Sequence, residues 1–313
     1  MSPSLLFDPA LLQLMFIMAT PLLVAALGEM LTEHSGVLNV SIEGMMALGA
    51  IAGFLGSYFM GSNAAGIVVA ALVTASVLGV ALAYSVISLR LPQLTVGLAL
   101  FVLAVGLASL LYRVAVGVRF VPPQVPTFQP VALPGLSQIP YLGSWLFSLP
   151  LPTYLSLILV PLAHFFFFST PWGLRIRSVG ENPRASDLAG IPVFVVRYVA
   201  TLAGSALIGM AGALLPMLLT GTYSDGIVGG RGWIALMLVI FGRWRPLGAL
   251  GGALLFAYVE ALQFRLGLIT KAVPPQFLLM LPYIFAILVL IRIYRGAQAP
   301  AALGKAYDRE ERG

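Results

Sequence analysis

The sequence has 313 residues, 60% of them hydrophobic and only 9% charged, with a mean hydropathy of +1.00. Soluble domains carry roughly a quarter charged residues, so this composition argues against a water-soluble globule and for a polytopic membrane protein with no separate soluble domain. The net charge of +6 does not point to nucleic acid, because the basic residues are scattered among turns rather than clustered with aromatics, and the absence of cysteine removes disulfides, thiolate metal sites and cysteine nucleophiles.

The N-terminal stretch "MSPSLLFDPA" has no Lys or Arg, so it lacks the basic region of a cleaved signal peptide and the first apolar run is expected to stay in the mature chain. A spanning helix needs about 20 mainly apolar residues. That criterion picks out runs near 11–31, 43–60, 65–89, 94–115, 151–168, 198–220, 247–263 and 276–294. A ninth run, "WIALMLVIF" at 233–241, would rise only about 14 Å as a helix. It is either a tilted helix extended through its Gly-rich flank or a half-helix inside the protein, and broken helices are tolerated in membranes only where they are buried or line a cavity. The fold class expected is all-α, one polytopic helical bundle over 1–313 with about 8–10 spans and broken or half helices.

Lys and Arg in short loops set orientation. Arg175, Arg177, Arg184 and Arg197 place the loop 173–197 in the cytoplasm, and a single charge, Arg119, between Val114 and Ala163 places the segment 116–150 outside. Arg292, Arg295, Lys305, Arg309 and Arg312 put the tail 295–313 inside, and alternation then puts the N-terminus outside if all nine runs cross. The outer segment is rich in proline, "VPPQVPTFQPVALPGLSQIPYLGSW", which rules out a regular helix and suggests an external cap on the bundle.

Between the first two runs, "GEMLTEHSGVLNVSIEGMM" holds Glu29, Glu33 and Glu43. Ionised residues facing lipid at mid-membrane would cost about 2.5 to 3.5 kcal/mol each, so they face the bundle or its cytoplasmic interface. Glu29 and Glu33 are four apart, as are Asn39 and Glu43, which would put each pair on one helical face, with Ser35-Gly36 as the break. In one reading Asn39, Ser41 and Glu43 line a polar path for a neutral, hydroxyl-rich solute. In the other the stretch is a tight turn whose carboxylates pair with Arg90 or Arg243 and cap helix N-termini.

The cytoplasmic stretch "GENPRASDLAGI" opens on Asn182-Pro183, a helix-start signal, and closes at Gly190-Ile191-Pro192, a stop. It predicts an exposed helix of about two turns, shaped to dock into a groove of another protein; a solvated, capped loop is the alternative. Farther on, "TGTYSDGIVGGRGW" has five glycines in fourteen residues, which prevents a stable helix, and Asp225 and Arg231 are placed to form an ion pair at or within a pore. In "FGRWRPLGA", Arg243 and Arg245 would anchor at headgroups or touch a partner. Glu260 is expected to pair with Arg265 or Lys271 at the external interface, and Phe165 to Phe168 to face lipid. His34 and His164 are too few and scattered for a metal site.

"TPLLVAALGEMLTEHSGVLNVSIEGMMALGA", "GLRIRSVGENPRASDLAGI" and "GRGWIALMLVIFGRWRPLGALGGALLFA" together resemble the membrane permease subunit of ATP-binding-cassette importers. The branch is that of nucleoside and simple-sugar permeases, within the group that includes ribose-type and branched-chain amino-acid permeases. The resemblance covers most of the chain, except the outer loop and the tail. It implies a permease dimer of two copies or two related chains, separate cytoplasmic ATPase subunits carrying ATP and Mg, an external substrate-binding lipoprotein, and a bacterial-type inner membrane. It also implies that Glu181, Asn182, Arg184 and Asp187 belong to a helix that couples to the ATPase. Asn39, Ser41, Glu43, Tyr223, Asp225 and Arg231 then fall in two pathway regions.

The chain carries no cofactor motif of its own. Lys271 and Lys305 are the only lysines, and neither sits in a phosphate-binding G-x-x-x-x-G-K-[ST] loop; no nucleophile elbow or zinc-protease signature appears. The leading expectation is therefore a non-enzymatic importer subunit for a nucleoside or simple sugar. The alternative is a proton-coupled secondary transporter using Glu43 or the Glu29 and Glu33 pair; a scaffold or channel without pumping fits the docking-shaped helix less well.

Overall fold

The computed structural model describes residues 8–117, 121–269, 274–293 and 298–309. Arg119, Lys271, Arg295 and Arg312 lie outside them, as does the Arg292 side chain. The architecture is an all-α bundle. Its helices are α1 (Pro9–His34), α2 (Ile42–Met60), α3 (Asn63–Ser88, with π-turns at Ala75–Gly79 and Tyr84–Ser88), α4 (Gln93–Val116), α5 (Leu142–Leu146), α6 (Leu151–Ser169), α7 (Pro171–Glu181), α8 (Pro183–Leu188), α9 (Val193–Thr220, ending in a π-turn), α10 (Arg231–Phe241), α11 (Pro246–Ile269) and α12 (Pro275–Ile293). Among the described residues seven helices, α1, α2, α3, α4, α6, α9 and α11, are long and apolar enough to cross a membrane.

The centre of the bundle is α9, against which both α1 and α2 pack; α3 packs on α2 and α9, and α11 on α1. Lipid tails are as apolar as leucine, so such packing depends on close approach at small residues. A Cβ on Gly28 of α1 would stand 2.7 Å from the Gly204 carbonyl oxygen of α9, which only glycine permits. The outer helices α4 and α6 keep broad apolar faces open, with Val102, Leu103, Leu155 and Leu162 exposed. In a bilayer these are lipid-facing or subunit-facing surfaces.

Contacts sort the loops into two ends. At one end Arg265 of α11 pairs with Asp8, the N-cap of α1, and the proline-rich segment lies across the bundle. There Val125 N donates to Gly221 O at 2.8 Å, Asn63 Nδ2 to Pro126 O at 2.6 Å, and Gln13 Nε2 to Ser148 O at 2.6 Å. The segment is irregular, as its prolines demand, apart from α5, one 3-10 turn and a two-stranded antiparallel ribbon, β1 (Pro130–Ala132) with β2 (Ser148–Pro150), in the register Val131 opposite Leu149. The opposite, basic end gathers Gly36, Arg90, α7, α8, the turn 242–245 and the C-terminal segment 298–309.

Three expectations change at this level. Asn39 and Glu43 do not share a helical face, because α2 begins only at Ile42 and Asn39 lies in the preceding turn. The break at Ser35-Gly36 stands where expected, with Gly36 at φ +88°. The short helix starts at Asn182-Pro183 as expected, but Glu181, grouped with it, ends α7 instead. The run Phe165 to Phe168 is split: Phe165 is exposed, whereas Phe167 is buried with its ring 4.7 Å from that of His34.

Candidate functional site

The turn between α1 and α2 is a buried polar junction. Asn39, Ser41, Glu29 and Glu33 are almost fully buried. The Asn39 Oδ1 accepts from Ser41 N at 3.1 Å and Ser41 Oγ at 2.6 Å, and Asn39 N donates to Glu29 Oε1 at 3.1 Å. Glu33 Oε2 accepts from the Trp244 indole, and His34 Nε2 donates to Trp244 O at 3.0 Å. These contacts hold the α10–α11 turn, where Arg243 and Trp244 both take left-handed backbone (φ 53° and 55°), a conformation that persists only when its surroundings fix it. Arg90, one of the partners expected for these carboxylates, instead pairs with Asp308.

Glu43 has a more specific place. Its Oε1 accepts from Gly230 N at 2.8 Å and its Oε2 from Gly232 N at 2.7 Å, so the carboxylate caps α10. That helix is eleven residues long; it is the half-helix, and it starts inside the bundle, where Trp233 packs edge-on against Phe101 of α4 at 5.5 Å. A helix start leaves N–H groups unpaired, and inside a bundle each unpaired one costs free energy. A carboxylate there satisfies two donors and faces the positive end of the helix dipole. The approach requires glycine: a Cβ on Gly232 would stand 2.5 Å from Glu43 Cα.

The glycine-rich segment before α10 has no helix, and Gly221, Gly226, Gly229 and Gly230 all take positive φ. Tyr223 is buried against Phe54 and Tyr112, with ring centroids 6.2 and 5.1 Å away. The expected Asp225 to Arg231 pair does not form. Asp225 is exposed and accepts from Ser109 Oγ at 2.7 Å, while Arg231 turns into the bundle, pairs with Glu260 of α11 and donates to Val228 O at 3.1 Å. Glu260 thus has Arg231 as its partner; of its two expected ones, Arg265 serves Asp8 and Lys271 lies outside the described residues. The signal for Glu260 in the sequence was its standing as the only carboxylate of its run; its partner lies 29 positions away, beyond any local pattern.

At the basic end Asn182 N-caps α8, its Oδ1 accepting from Ala185 N at 2.9 Å. Arg184 and Leu188 are exposed, Leu188 at 86%. Asp187 points the other way, to the C-terminal segment. It accepts from Arg309 Nε and Nη2 at 2.7 and 2.6 Å and from Tyr307 Oη at 3.0 Å, and the Arg309 guanidinium holds its carboxyl below the ordinary aspartate value of 3.8. Ala302 N donates to Gly180 O at 2.9 Å, Ala301 N to Glu181 Oε2 at 3.3 Å, Gly304 N to Gly36 O at 3.2 Å, and Arg197 Nη1 to Lys305 O at 3.1 Å. The tail is therefore fastened to α7, α8 and the α1–α2 break together, a connection no motif announced. Among the described residues no group of three His, Asp or Glu is placed to hold a metal.

These features, a half-helix capped in the bundle interior and a short exposed helix at the basic end, meet the comparisons with known proteins. The family model for the branched-chain amino acid transport system permease component matches residues 11–291. The chain belongs to that permease family. The permease is 34% identical to the guanosine ABC transporter permease protein of Bacillus subtilis, over 94% of this chain and 95% of that one. It is equally identical to the nucleoside ABC transporter permease protein of Lactococcus lactis (95% and 96% covered) and to a candidate glucose ABC transporter permease protein of Haloferax volcanii (93% and 95%). No solved structure matches. The chain is thus the multi-pass permease subunit of an ABC importer and not itself an enzyme, and such subunits work with ATPase and substrate-binding partners. Of its buried carboxylates, Glu43 caps a helix and Glu260 neutralises an arginine.

Proposed function

We propose that this permease imports a neutral ring-bearing solute, a nucleoside or simple sugar, across a bacterial-type plasma (inner) membrane. The observation that carries the reading is the likeness, over nearly the whole chain, to permeases named for guanosine, nucleoside and glucose transport. In this reading the basic end and the C-terminus face the cytoplasm, in keeping with the positive-inside rule. Two permeases, copies or related chains, share the path; an external lipoprotein delivers the solute; and ATP with Mg is hydrolysed on separate cytoplasmic subunits seated on α8.

Residue roles follow from placement. Leu188 and Arg184, exposed at the tip of α8, supply the ATPase contact. Asn182 sets the start of that helix, and Glu181 and Asp187 brace it from behind through the tail. Glu43 and Arg231 hold the half-helix whose movement opens or closes the path, Asn39 and Ser41 keep the adjoining turn rigid, and Tyr223 and Asp225 stand at the outer approach. Both partners of a coupled machine must bias one element; α8, tied through Gly180, Ala302, Gly304 and Gly36 to the α1–α2 break, is that element.

The test is purification of the tagged permease from native membranes, followed by uptake in vesicles. A P-loop ATPase and a second permease in stoichiometric amounts, with nucleoside or glucose uptake that requires internal ATP and survives a protonophore, are expected. A chain that purifies alone and loses uptake when the proton gradient collapses overturns the reading.

A further inference from the structure

A cavity of about 160 Å³ opens between α10, α11 and α12, roughly the volume of five water molecules. Its polar wall is Arg231, Glu260 and Gln263, and Phe264 and Tyr283 flank its mouth. Glu260 and Gln263, one turn apart on α11, are each more than nine-tenths buried. Glu260 Oε1 is taken by Arg231, but Glu260 Oε2 and Arg231 Nε are buried with no hydrogen-bond partner in the described structure. Buried polar groups of this kind are ordinarily satisfied, so these atoms mark where a polar ligand or water belongs. Tyr283 Oη donates to Gly229 O at 3.1 Å, which ties the mouth to the glycine turn that starts the half-helix.

We propose that this cavity is the permease's own solute site and that it takes the base of an uncharged nucleoside; the proposal rests on the importer reading above. The Arg231 and Glu260 charges cancel, so a charged solute would bury an uncompensated charge there. A neutral solute with donors and acceptors on one edge matches the wall: the Gln263 amide both accepts and donates, and a small shift of the Arg231 and Glu260 pair would bring the covered Glu260 Oε2 and Arg231 Nε to the same edge. Phe264 and Tyr283, both about half exposed, offer flat faces on which a base stacks. The cavity adjoins a broken helix inside the bundle, the kind of place where transporters bind solute. The ribose then remains in the mouth.

The chain has no cysteine, so a single Phe264→Cys permits a clean test in proteoliposomes containing the assembled transporter. A charged, water-soluble thiol reagent is expected to modify it, and guanosine, but not glucose, to slow the modification severalfold. Gln263→Leu, close to isosteric, is expected to raise the KM for guanosine about tenfold while the complex still assembles. A cysteine that reacts only with lipid-soluble reagents, modification indifferent to guanosine in vesicles whose Phe264→Cys transporter itself still takes up guanosine, or an unchanged KM for guanosine in Gln263→Leu overturns the site. Wild-type vesicles that take up glucose and no nucleoside overturn the solute class instead, whatever the labelling.

Discussion

Glu43 and Asp187 are both carboxylates that accept short hydrogen bonds from a distant part of the chain, yet their surroundings give those bonds different weights. Glu43 is 8% exposed and holds two backbone N–H groups of a helix that begins inside the bundle. Bonds to a charged acceptor contribute about 1.5–3 kcal/mol each, and burial limits the water that could replace them. Asp187 binds Arg309, whose side chain is 69% exposed, and water and salt compete for both partners, so that pair contributes little net stability. The interior carboxylate fixes where a helix starts; the surface one fixes where a tail lies.

The largest effect is expected from breaking the first of these. Glu43→Ala leaves the Gly230 and Gly232 amides without acceptors and should cost about 2–6 kcal/mol, read as a lowered thermal midpoint in detergent and loss of uptake. Glu43→Gln, which keeps one acceptor oxygen, should fall between. An alanine variant with the wild-type midpoint would refute the capping role. Next, Arg231→Leu alone strands Glu260 and should destabilise by about 3–5 kcal/mol, whereas the double change with Glu260→Leu should recover much of the folded yield; fluorescence size-exclusion chromatography of both variants decides this.

On the surface side, Leu188→Asp should leave the thermal midpoint unchanged and uncouple ATP hydrolysis from uptake, since the side chain is 86% exposed and packs on nothing that folding requires. Unaltered uptake would remove α8 as the docking element. The smallest effect belongs to Asp187→Asn: no resolvable change in midpoint, but faster tryptic cleavage after Lys305 and Arg309. Because the folded Asp187 carboxyl titrates below its ordinary value of 3.8, its hold on the tail is fully present above that pH and fades only as the pH drops further. Hydrogen exchange of 300–309 should therefore be equally protected at pH 8 and pH 5, after correction for intrinsic rates.

Composition and run lengths were enough to determine a polytopic helical bundle, because every spanning segment must satisfy its backbone within itself and so writes its length into the sequence. The Ser35-Gly36 break, the Asn182-Pro183 start of α8 and the shortness of 233–241 were legible for the same reason: caps, glycine and proline act on their immediate neighbours. The resemblance to importer permeases lay in the order of whole motifs. What only the tertiary structure decided is which polar group meets which. Glu43 reaches residues 187 and 189 positions away, Glu260 takes Arg231 rather than Arg265, and Asp187 takes Arg309 rather than solvent. In a chain with so few charges each buried one must find a partner, but nothing local says where that partner is; only the packing of α1, α2 and α9, set by glycine contacts across the bundle, brings those positions together.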